Sequence, residues 1–526
     1  MTEESSWAPL RHGVFRALWL TSLASNTGTW MQTVGAQWLL VHQPNAAFLV
    51  ALVQTADTLP DLLFAYVGGI LADILDRRKI LISVQMVLTA AGLALTVLTA
   101  ANHMPPGLLL GFTFVLGAGS AFTVPAYQAL VPDLVPRSEL VSASALGSIS
   151  INVARAVGPA IAGILIARVG VAAVFGINTA TFLAFAIVAA VERLPAGRAP
   201  SVPEHFVSAL RAGGRYVVNA PVVRRILLRA TLFLLPATAL WALLPVIASQ
   251  RLGLGAQGYG LLLGALGVGA VSGALVLPRV RARLSNNALM VAASLVYAAV
   301  LVVLVLSRNA AVSLIALLPA GVAWIAVLST INGSLQLFLP AWVRARGLSI
   351  YQMVLFGTQA IGAVIWGALA EPLGLQTVFL IAAAIMVAGT ATIRVWPFYD
   401  TKGMDRRLAA YWPVPHLVLE PDPDSGPVGV QTVYTIAPDK EAQFLEAIPH
   451  LRQSRLRTGA TEWSLFRDGE SAHRFVEFFV VPSWEEHLRQ HSDRLTGVDR
   501  QYEAQVDTLS DPPPQTDHLI GVRVRE

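Results

Sequence analysis

The sequence predicts an all-α membrane protein of twelve transmembrane helices in two six-helix repeats, followed by a small C-terminal α+β domain. Hydrophobic residues make up 55% of the 526 residues and charged residues only 13%, about half the charged share of a soluble domain. Apolar runs of about twenty residues, long enough to cross a bilayer, recur along the chain. They lie near 16–41, 47–72, 80–102, 106–131, 143–167, 171–192, 226–250, 258–279, 287–307, 311–337, 346–370 and 375–396. A large soluble helical protein would need polar faces, which 87–101 and 289–306 almost entirely lack.

Charges between the runs predict the orientation of the helices. Residues 1–395 hold 23 Lys and Arg against 11 Asp and Glu, whereas 396–526 hold 14 against 21. If the N-terminus is cytoplasmic, the outer links hold only Arg168, Arg251 and Arg308, and the inner links hold the other basic residues between the runs. This asymmetry follows the positive-inside rule, so we expect a multi-pass protein of the inner (plasma) membrane with both termini cytoplasmic. Basic residues confined to short links also argue against nucleic acid as a partner.

Short segments of the first half recur in the second half at one constant offset. The matching pairs, each 204 residues apart, are 69–71 with 273–275, 157–163 with 361–367, and Pro136 with Pro340. A single offset predicts two related six-helix halves. Transporters built from such repeats bind cargo near the bilayer midplane, between the halves.

We expect five segments along the chain. They are a six-helix bundle (1–193), a cytoplasmic central loop (194–225), a second six-helix bundle (226–396), a linker (397–427) and a soluble domain (428–526). The linker is rich in Pro, Asp and Gly. In the soluble domain the pattern predicts strands Val428–Ile436, Thr461–Asp468, Arg474–Pro482 and His518–Val524 and helices Asp439–Arg457 and Trp484–Gln505. This β-α-β-β-α-β order is ferredoxin-like.

The link Gly68 to Lys79, between the second and third runs, combines small residues, acids and a basic cluster. Small residues let helices approach closely, Asp73 can cap a neighbouring helix, and the basic residues hold the link at the cytoplasmic face. The link resembles the loop signature of the major facilitator superfamily, Gly-x-x-x-Asp followed by basic residues, with Ile74 and Asp76 as departures. The resemblance implies the major facilitator fold and a gating role for Gly69, Asp73, Arg77 and Arg78.

The fifth run contains Gly158, Pro159 and Gly163. Proline bends a helix and the two glycines allow tight packing. The segment resembles the Gly-Pro-x-x-x-Gly element that the superfamily associates with exporters working by antiport, with Ile164 in place of a second glycine. The resemblance implies export, and a kinked packing helix is the alternative interpretation.

Two carboxylates lie inside the second run. Asp57 and Asp61 are four residues apart and share a helix face with Gln54. A carboxylate at the centre of a membrane helix costs about 2.5–3.5 kcal/mol, so it must face water, pair with a cation or bind a proton. Arg155, near the middle of the fifth run, is the candidate partner. We predict proton coupling by Asp57, Asp61 and Arg155; a static buried ion pair or the lining of an outer vestibule is the alternative.

Polar and aromatic residues predict the cavity lining. A polar stripe on the first run cannot face lipid cheaply. Together with residues of the fourth, seventh and tenth runs, the predicted substrate-binding residues are Asn26, Thr29, Thr33, Gln37, Tyr127, Trp241, Trp324 and Asn332. Some of them are expected to serve as interhelical hydrogen bonds instead. Such a neutral and aromatic lining suits a bulky amphipathic or hydrophobic cargo.

The soluble tail carries a second resemblance. Segments 461–466, 474–480 and 483–487 resemble the cytoplasmic tails of the transmembrane secretion effectors, a branch near siderophore and drug exporters, and small dimeric domains related to antibiotic-biosynthesis monooxygenases. The resemblance implies self-association or regulation. His487 and His491, four apart on a predicted helix, have the spacing of metal ligands, but without a third ligand we expect a solvated face and no metal.

Together these features predict a transporter. No Gly-Lys dipeptide is present, so the sequence has no phosphate-binding P-loop, and without cysteine it has no thiolate site. We predict proton-coupled export of small hydrophobic molecules, such as drugs, siderophores or other secondary metabolites, by alternating access and without a cofactor. The alternatives are an uptake facilitator of the same fold and a membrane-tethered enzyme acting through its monooxygenase-like tail.

Overall fold

The computed structural model describes residues 7–192, 214–398 and 421–522. The chain forms two compact units. The first comprises Met1–Val202, Leu228–Ile331 and Tyr351–Phe398, and the second comprises Pro203–Leu227, Asn332–Ile350 and Tyr399–Glu526. The predicted central loop and linker lie largely outside the described residues.

Six helices form the N-terminal half of the helical region. They are α1 (Gly13–Leu40), α2 (Ala46–Ile74), α3 (Arg77–Ala100), α4 (Pro106–Leu134), α5 (Leu140–Val169) and α6 (Val171–Val191). Asp76 caps α3, because its carboxylate accepts a hydrogen bond of 2.9 Å from the main-chain N–H of Arg78. Gly170, at φ 89°, separates α5 from α6, a conformation that favours glycine. The cap is therefore Asp76, at a position where the superfamily signature has glycine.

The C-terminal half follows the same plan. Its helices are α7 (Pro221–Val246), α8 (Ala256–Arg281), α9 (Asn286–Leu306), α10 (Ala310–Phe338) and the helical stretch Ala341–Ala391. This stretch breaks at Gly374, where φ is 77° and ψ is 156°. The break divides it into α11 (341–373) and α12 (375–391).

Ten helices among the described residues are long and apolar enough to cross a membrane. The sequence predicted twelve spans. The numbers differ because Trp342–Arg394 is counted as one stretch and because α1 is not among the ten. Polar side chains along α1, among them Asn26, Gln32 and Gln37, lower its mean hydropathy.

The C-terminal domain is an antiparallel sheet covered by helices. Its elements in chain order are β1 (Val428–Thr435), α13 (Glu441–Thr458), β2 (Glu462–Arg467), β3 (Arg474–Val481), α14 (Trp484–Arg489), α15 (Gly497–Asp507) and β4 (Gln515–Ile520). The strands lie in the order β2-β3-β1-β4. Tyr434, Phe444 and Phe475 are buried together between sheet and helices.

The prediction of one helix over Trp484–Gln505 is wrong. Leu495 is extended and Thr496 begins α15 with a capping box, in which its side chain and main chain both bond to Asp499. The last strand lies at Gln515–Ile520, three residues before the predicted start, and pairs along β1. A Thr-x-x-Asp pattern within the predicted helix was the signal for this break.

Within the second unit, the C-terminal domain contacts the ends of membrane helices. The guanidinium of Arg494 lies 4.8 Å from the ring centre of Trp342, near the start of α11. Tyr216 meets the same ring edge-on at 5.7 Å. Trp342 is therefore held on two sides.

Candidate transport pathway

The two helical halves bond to each other at the end where α1 finishes and α2 begins, which we call the closed end. The hydroxyl of Tyr259, near the start of α8, donates to Oε1 of Gln37 at 2.5 Å. Further along, Oγ1 of Thr55 on α2 donates to the carbonyl oxygen of Ala360 on α11 at 3.0 Å. Because Tyr259 and Gln37 are both buried, this contact seals the closed end.

Glycines of α5 allow the close packing of this end. A Cβ on Gly163 would lie 2.6 Å from the carbonyl oxygen of Ala256 on α8. Gly158 packs instead on α1, where a Cβ would lie 2.8 Å from Cβ of Trp30. The tight packing predicted for Gly158 and Gly163 is confirmed, while the antiport role of the motif stays a prediction. Pro159 lies between them, buried inside α5.

The second half repeats these contacts. Gly367, the counterpart of Gly163 at the offset of 204, packs on α2, where its Cβ would lie 2.5 Å from Cβ of Ala51. Gly362, the counterpart of Gly158, packs on α7 near Thr238, 3.2 Å away. Matching sequence segments therefore make matching contacts: one glycine packs within its own half and the other packs across to the opposite half.

A cavity of about 520 Å³ lies among α1, α4 and α5. Its lining residues carry hydroxyl, amide and apolar groups and no charge, and it extends to Pro132 and Leu140, at the end away from the closed end. The polar lining includes Ser22, Asn26, Thr123, Tyr127, Ser144 and Ser148. Two of the predicted substrate-binding residues, Asn26 and Tyr127, therefore lie in one cavity.

Aromatic side chains from both halves meet near the middle of the helices. Trp30 of α1 lies 6.0 Å from Trp241 of α7, and Trp241 lies 5.1 Å from Trp324 of α10 (ring centres). Tyr297 of α9 adds a fourth ring 6.4 Å from Trp324. Trp241 and Trp324 are only 8% and 5% exposed, so in this conformation they form a packed wall.

Arg155 does not pair with the predicted acids. Its guanidinium lies 5.6 Å from the ring centre of Trp30, a cation–π distance. None of the ion pairs of the described residues joins it to Asp57 or Asp61, and its Nε has no hydrogen-bond partner there. The proposed partnership between Arg155 and the acids is therefore not formed in this conformation.

Asp57 and Asp61 both lie inside the apolar span Ala46–Ala65. Both are half-buried, and among the described residues neither carboxylate has an ion pair or a hydrogen bond. The helix turn at Asp57 packs directly on α4, because a Cβ on Gly117 would lie 2.7 Å from the carbonyl oxygen of Asp57. The span thus carries two acids that no cation of the described residues neutralises.

The link between α2 and α3 is tied to its own half. Arg77 donates to the carbonyl oxygen of Ala129 at 2.8 Å and to Asp133 at 2.9 Å, both near the end of α4. Arg78 donates to main-chain oxygens at the end of α6. The close helix approach occurs at Gly68, where a Cβ would overlap the carbonyl oxygen of Ala121, whereas Gly69 faces open space. The side chain of Asp73 lies outside the described residues.

Four other predicted substrate-binding residues do not line the cavity. Thr29 and Thr33 donate to main-chain oxygens one turn back, at 2.9 and 3.1 Å, which satisfies their hydroxyls locally. Gln37 belongs to the closed end. Asn332 accepts a bond of 2.6 Å from Gln336, one turn along the same helix. Along α1, the polar stripe therefore lines the cavity at Asn26, bonds within its own helix at Thr29 and Thr33, and joins the two halves at Gln37.

The predicted solvated face at His487 and His491 is wrong. His487 is fully buried and His491 is 9% exposed, with ring centres 5.0 Å apart. Burial lowers the pKa of His487 to about 3, so its ring is neutral. No group of three or more His, Cys, Asp or Glu arranged to hold a metal occurs in the described part of the chain.

Sequence reasoning missed several residues of this pathway. Tyr259 and Gly260 of α8 form the opposing side of the closed end, and Trp30 joins Arg155 to the aromatic wall. The repeated small residues of α8, at 260, 264, 267 and 269, were a signal for close packing. Trp30 lies one turn beyond Asn26 on α1 and belonged to the same stretch.

Comparison with known proteins decides the family. The family model for transmembrane secretion effectors matches residues 4–525. The chain belongs to this family of major facilitator transporters. It is therefore a multi-pass membrane transporter, and the predicted resemblance is confirmed.

Curated relatives of this transporter include two exporters. It is 24% identical to macrolide efflux protein A of Streptococcus pyogenes over 44% of its own chain and 58% of that protein. It is 28% identical to the enterobactin exporter EntS of Shigella boydii over 45% and 57% of the two chains. The matches thus span little more than half the length of these relatives.

Solved structures share the transporter's fold. A bacterial homologue of the human lysosomal transporter Spinster, in an inward-facing and unoccupied conformation, aligns with a TM-score of 0.56 at 15% identity, over 74% of this chain and 95% of that one. The peptide transporter PepTSo aligns with a TM-score of 0.61 at 11% identity, over 73% and 97%. At such identities the likeness concerns the fold alone.

Proposed function

We propose that this transporter exports small, largely hydrophobic molecules in exchange for protons, by alternating access. The observation that carries the proposal is the pair of unneutralised acids, Asp57 and Asp61, inside a membrane span. A carboxylate without a cation at this depth is stabilised by binding a proton, and it loses that proton cheaply only when water reaches it. Such a carboxylate alternates between a protonated and an ionised state as water reaches it from one side of the membrane and then from the other.

The topology that this mechanism needs is twelve crossings with both termini in the cytoplasm. The ten apolar helices become twelve when α1 is included and the stretch Trp342–Arg394 is divided at Gly374. The basic links then lie inside, as the positive-inside rule requires. In this orientation the closed end faces outward, so the structure represents an inward-facing state.

Alternating access would proceed by breaking the closed end. Its contacts include closely packed glycines and the hydrogen bonds of Tyr259 to Gln37 and of Thr55 to Ala360, with no ion pair among the described residues there. Such contacts separate without leaving a buried charge. Cargo entering from the cytoplasm would reach the cavity at Asn26 and Tyr127 and leave when the closed end opens.

Relatives support export and a cargo of drug or siderophore type. The two named exporters match this chain over nearly half its length. The Gly-Pro-x-x-x-Gly element of α5 points in the same direction. Uptake through the same fold remains the rival, and the direction of transport separates the two.

The C-terminal domain has the strand and helix order of a ferredoxin-like fold, and we assign it regulation or self-association rather than catalysis. Its strand order β2-β3-β1-β4 is that of the split βαβ unit. Its contacts with Trp342 give it a route to influence the helices.

Transport into inside-out membrane vesicles tests the function. With erythromycin and enterobactin as probes and an imposed proton gradient, we expect uptake of at least one probe into vesicles from expressing cells. Asp57→Asn and Asp61→Asn should each lower this uptake at least tenfold, because neither side chain can then carry a proton. If the vesicles take up neither probe and whole expressing cells accumulate a probe instead, the protein is an importer.

Two controls sharpen the test. Asp57→Glu and Asp61→Glu keep a proton-binding group and should retain more activity than the asparagine variants. Asp493→Asn changes an exposed acid of the C-terminal domain and should have no effect. Full gradient-driven uptake by both asparagine variants would show that these acids do not couple transport.

A further inference from the structure

Arg155 is a cation that forms no ion pair with any described acid. An arginine inside a membrane helix is retained where it meets water, a counter-charge or a ligand. Here its guanidinium lies over the ring of Trp30, at 5.6 Å, and its Nε has no hydrogen-bond partner among the described residues. A cation–π contact is worth about 0.5–2 kcal/mol, less than a buried guanidinium loses on leaving water.

Among the described acids of the same half, none forms an ion pair with Arg155. Asp133 pairs with Arg77 at 2.9 Å, and Glu139 contacts His12 at 3.0 Å. Asp57 and Asp61 form no ion pair with Arg155. The positive charge of Arg155 is therefore not neutralised by any ion pair of the described residues.

Arg155 lies just beyond the end of the cavity that is nearer the closed end. Ile151 and Asn26 line the cavity on α5 and α1. Arg155 and Trp30 each follow them by four residues, which is about 6 Å further along the same helix faces, toward the closed end. A molecule filling the cavity would therefore meet the guanidinium and the indole with its leading end.

Aromatic rings continue from this point into the other half. Trp30 contacts Trp241, which contacts Trp324. Rings of this kind bind flat apolar groups by stacking or edge contacts. The cavity, at about 520 Å³, is within the range of about 300–1,000 Å³ that is common for small-molecule sites.

We propose that this end of the cavity binds the acidic group of an aromatic organic anion, with Arg155 as its counter-charge and Trp30, which packs on Trp241, against its ring. The inference rests on the proposed function, because it names the class of cargo for the same pathway. A carboxylate, sulfonate or ionised phenol would accept hydrogen bonds from the guanidinium. The hydroxyl and amide lining would bind the rest of the molecule.

Equilibrium binding to the full-length protein in phosphatidylcholine nanodiscs tests the charge preference. The probes share one ring system and differ in charge: naphthalene-2-carboxylate, naphthalene-2-carboxamide and naphthalen-2-ylmethylammonium. We expect the carboxylate to bind at least tenfold more tightly than either of the others. Equal affinities, a preference for the cation, or no carboxylate binding up to its solubility would overturn the proposal.

Variants locate the preference. Arg155→Gln should reduce carboxylate affinity about tenfold and leave carboxamide affinity unchanged, and Arg155→Lys should keep part of the preference. Arg168→Gln is the matched control, since Arg168 lies on the same helix but is exposed at its end. A preference unchanged in Arg155→Gln, or lost equally in Arg168→Gln, contradicts the assignment.

The proposed anion binding and the proposed proton coupling can be refuted independently of each other. The nanodisc measurement needs no gradient, so a loss of proton coupling does not change its result. Proton-driven export without any anion preference would refute only the cargo class. Anion binding that depends on Arg155 in a protein without gradient-driven transport would refute only the proposed function.

Discussion

The two helical halves use an arginine inside a helix in opposite ways. Arg155 of the N-terminal half lies over one aromatic ring with its Nε unbonded among the described residues. Arg229 of the C-terminal half is 4% exposed and donates to the carbonyl oxygens of Gly389 and Trp396 and to Oγ1 of Thr392, at 2.9 to 3.1 Å. Arg229 thus joins α7 to the end of α12, whereas Arg155 retains bonding capacity for a ligand.

The same contrast extends to the walls of the pathway. The N-terminal half supplies Asp57, Asp61 and the hydroxyl and amide lining of the cavity. The C-terminal half supplies Trp241, Trp324 and the other rings of the packed wall. In the described residues that line the pathway, the N-terminal half therefore contributes mainly charged and hydrogen-bonding groups and the C-terminal half mainly aromatic rings.

The largest effect on stability is expected at the bonded arginine. Arg229→Gln removes several hydrogen bonds from a charged donor, each worth about 1.5–3 kcal/mol, so we expect a loss of roughly 3–5 kcal/mol. Arg155→Gln should cost less than about 1 kcal/mol. Thermal unfolding of both variants in the same detergent measures the difference, and equal losses would break the contrast.

The next largest effect is expected from a substitution that separates the helices of the closed end. Gly163→Ala places a methyl group 2.6 Å from a main-chain oxygen, so α5 and α8 must separate there. We expect the outward-open population to rise about tenfold, or roughly 1.4 kcal/mol. Since the chain has no cysteine, Ala256→Cys, at a buried position beside Gly163, reports this population as a rate of labelling by a thiol reagent that cannot cross the membrane.

Two further variants control for the added methyl group. Gly367→Ala alters the equivalent contact between α11 and α2 and should act in the same direction. Gly111→Ala on α4 meets no atom within 4 Å and should leave labelling unchanged. If Gly111→Ala changes labelling as much as Gly163→Ala, helix packing at the closed end does not control access.

The last prediction concerns a charge outside the membrane, where the effect appears only at high pH. Burial, with Glu503 and Glu477 nearby, raises the pKa of Asp507 to about 7 from its usual value of 3.8, although Arg455 opposes the shift. The folded domain therefore holds this proton more tightly than the unfolded chain, and it loses stability as pH rises from about 4 to about 7. Asp507→Asn should thus stabilise the domain by about 1–2 kcal/mol at pH 8 and by nothing at pH 4.

Labelling of a buried thiol in the full chain measures this difference. Ala460→Cys places a cysteine at a fully buried position of the C-terminal domain. The ratio of labelling rates with and without Asp507→Asn, taken at each pH, cancels the pH dependence of the thiol itself. A ratio that does not change between pH 5 and pH 8 would contradict the predicted proton uptake, and Asp493→Asn provides the exposed control.

The sequence by itself indicated most of the apolar helices, the repeated segments and the four strands of the tail. Hydropathy and period are local properties, so they are visible without a structure. Gly158 and Gly163 were also identifiable, because small residues at fixed spacing indicate close packing wherever the partner lies. Asn26 and Tyr127 were identified by polarity in an apolar helix.

Only the tertiary structure decided which polar groups are satisfied. In the structure Arg229 is hydrogen-bonded, whereas Arg155 lies over the ring of Trp30. The close helix approach occurs at Gly68 rather than at Gly69, and His487 is buried. Each outcome depends on side chains that converge from positions tens to hundreds of residues apart. A single sequence shows that a charge is present inside a helix, but the free energy of that charge is set by its distant neighbours.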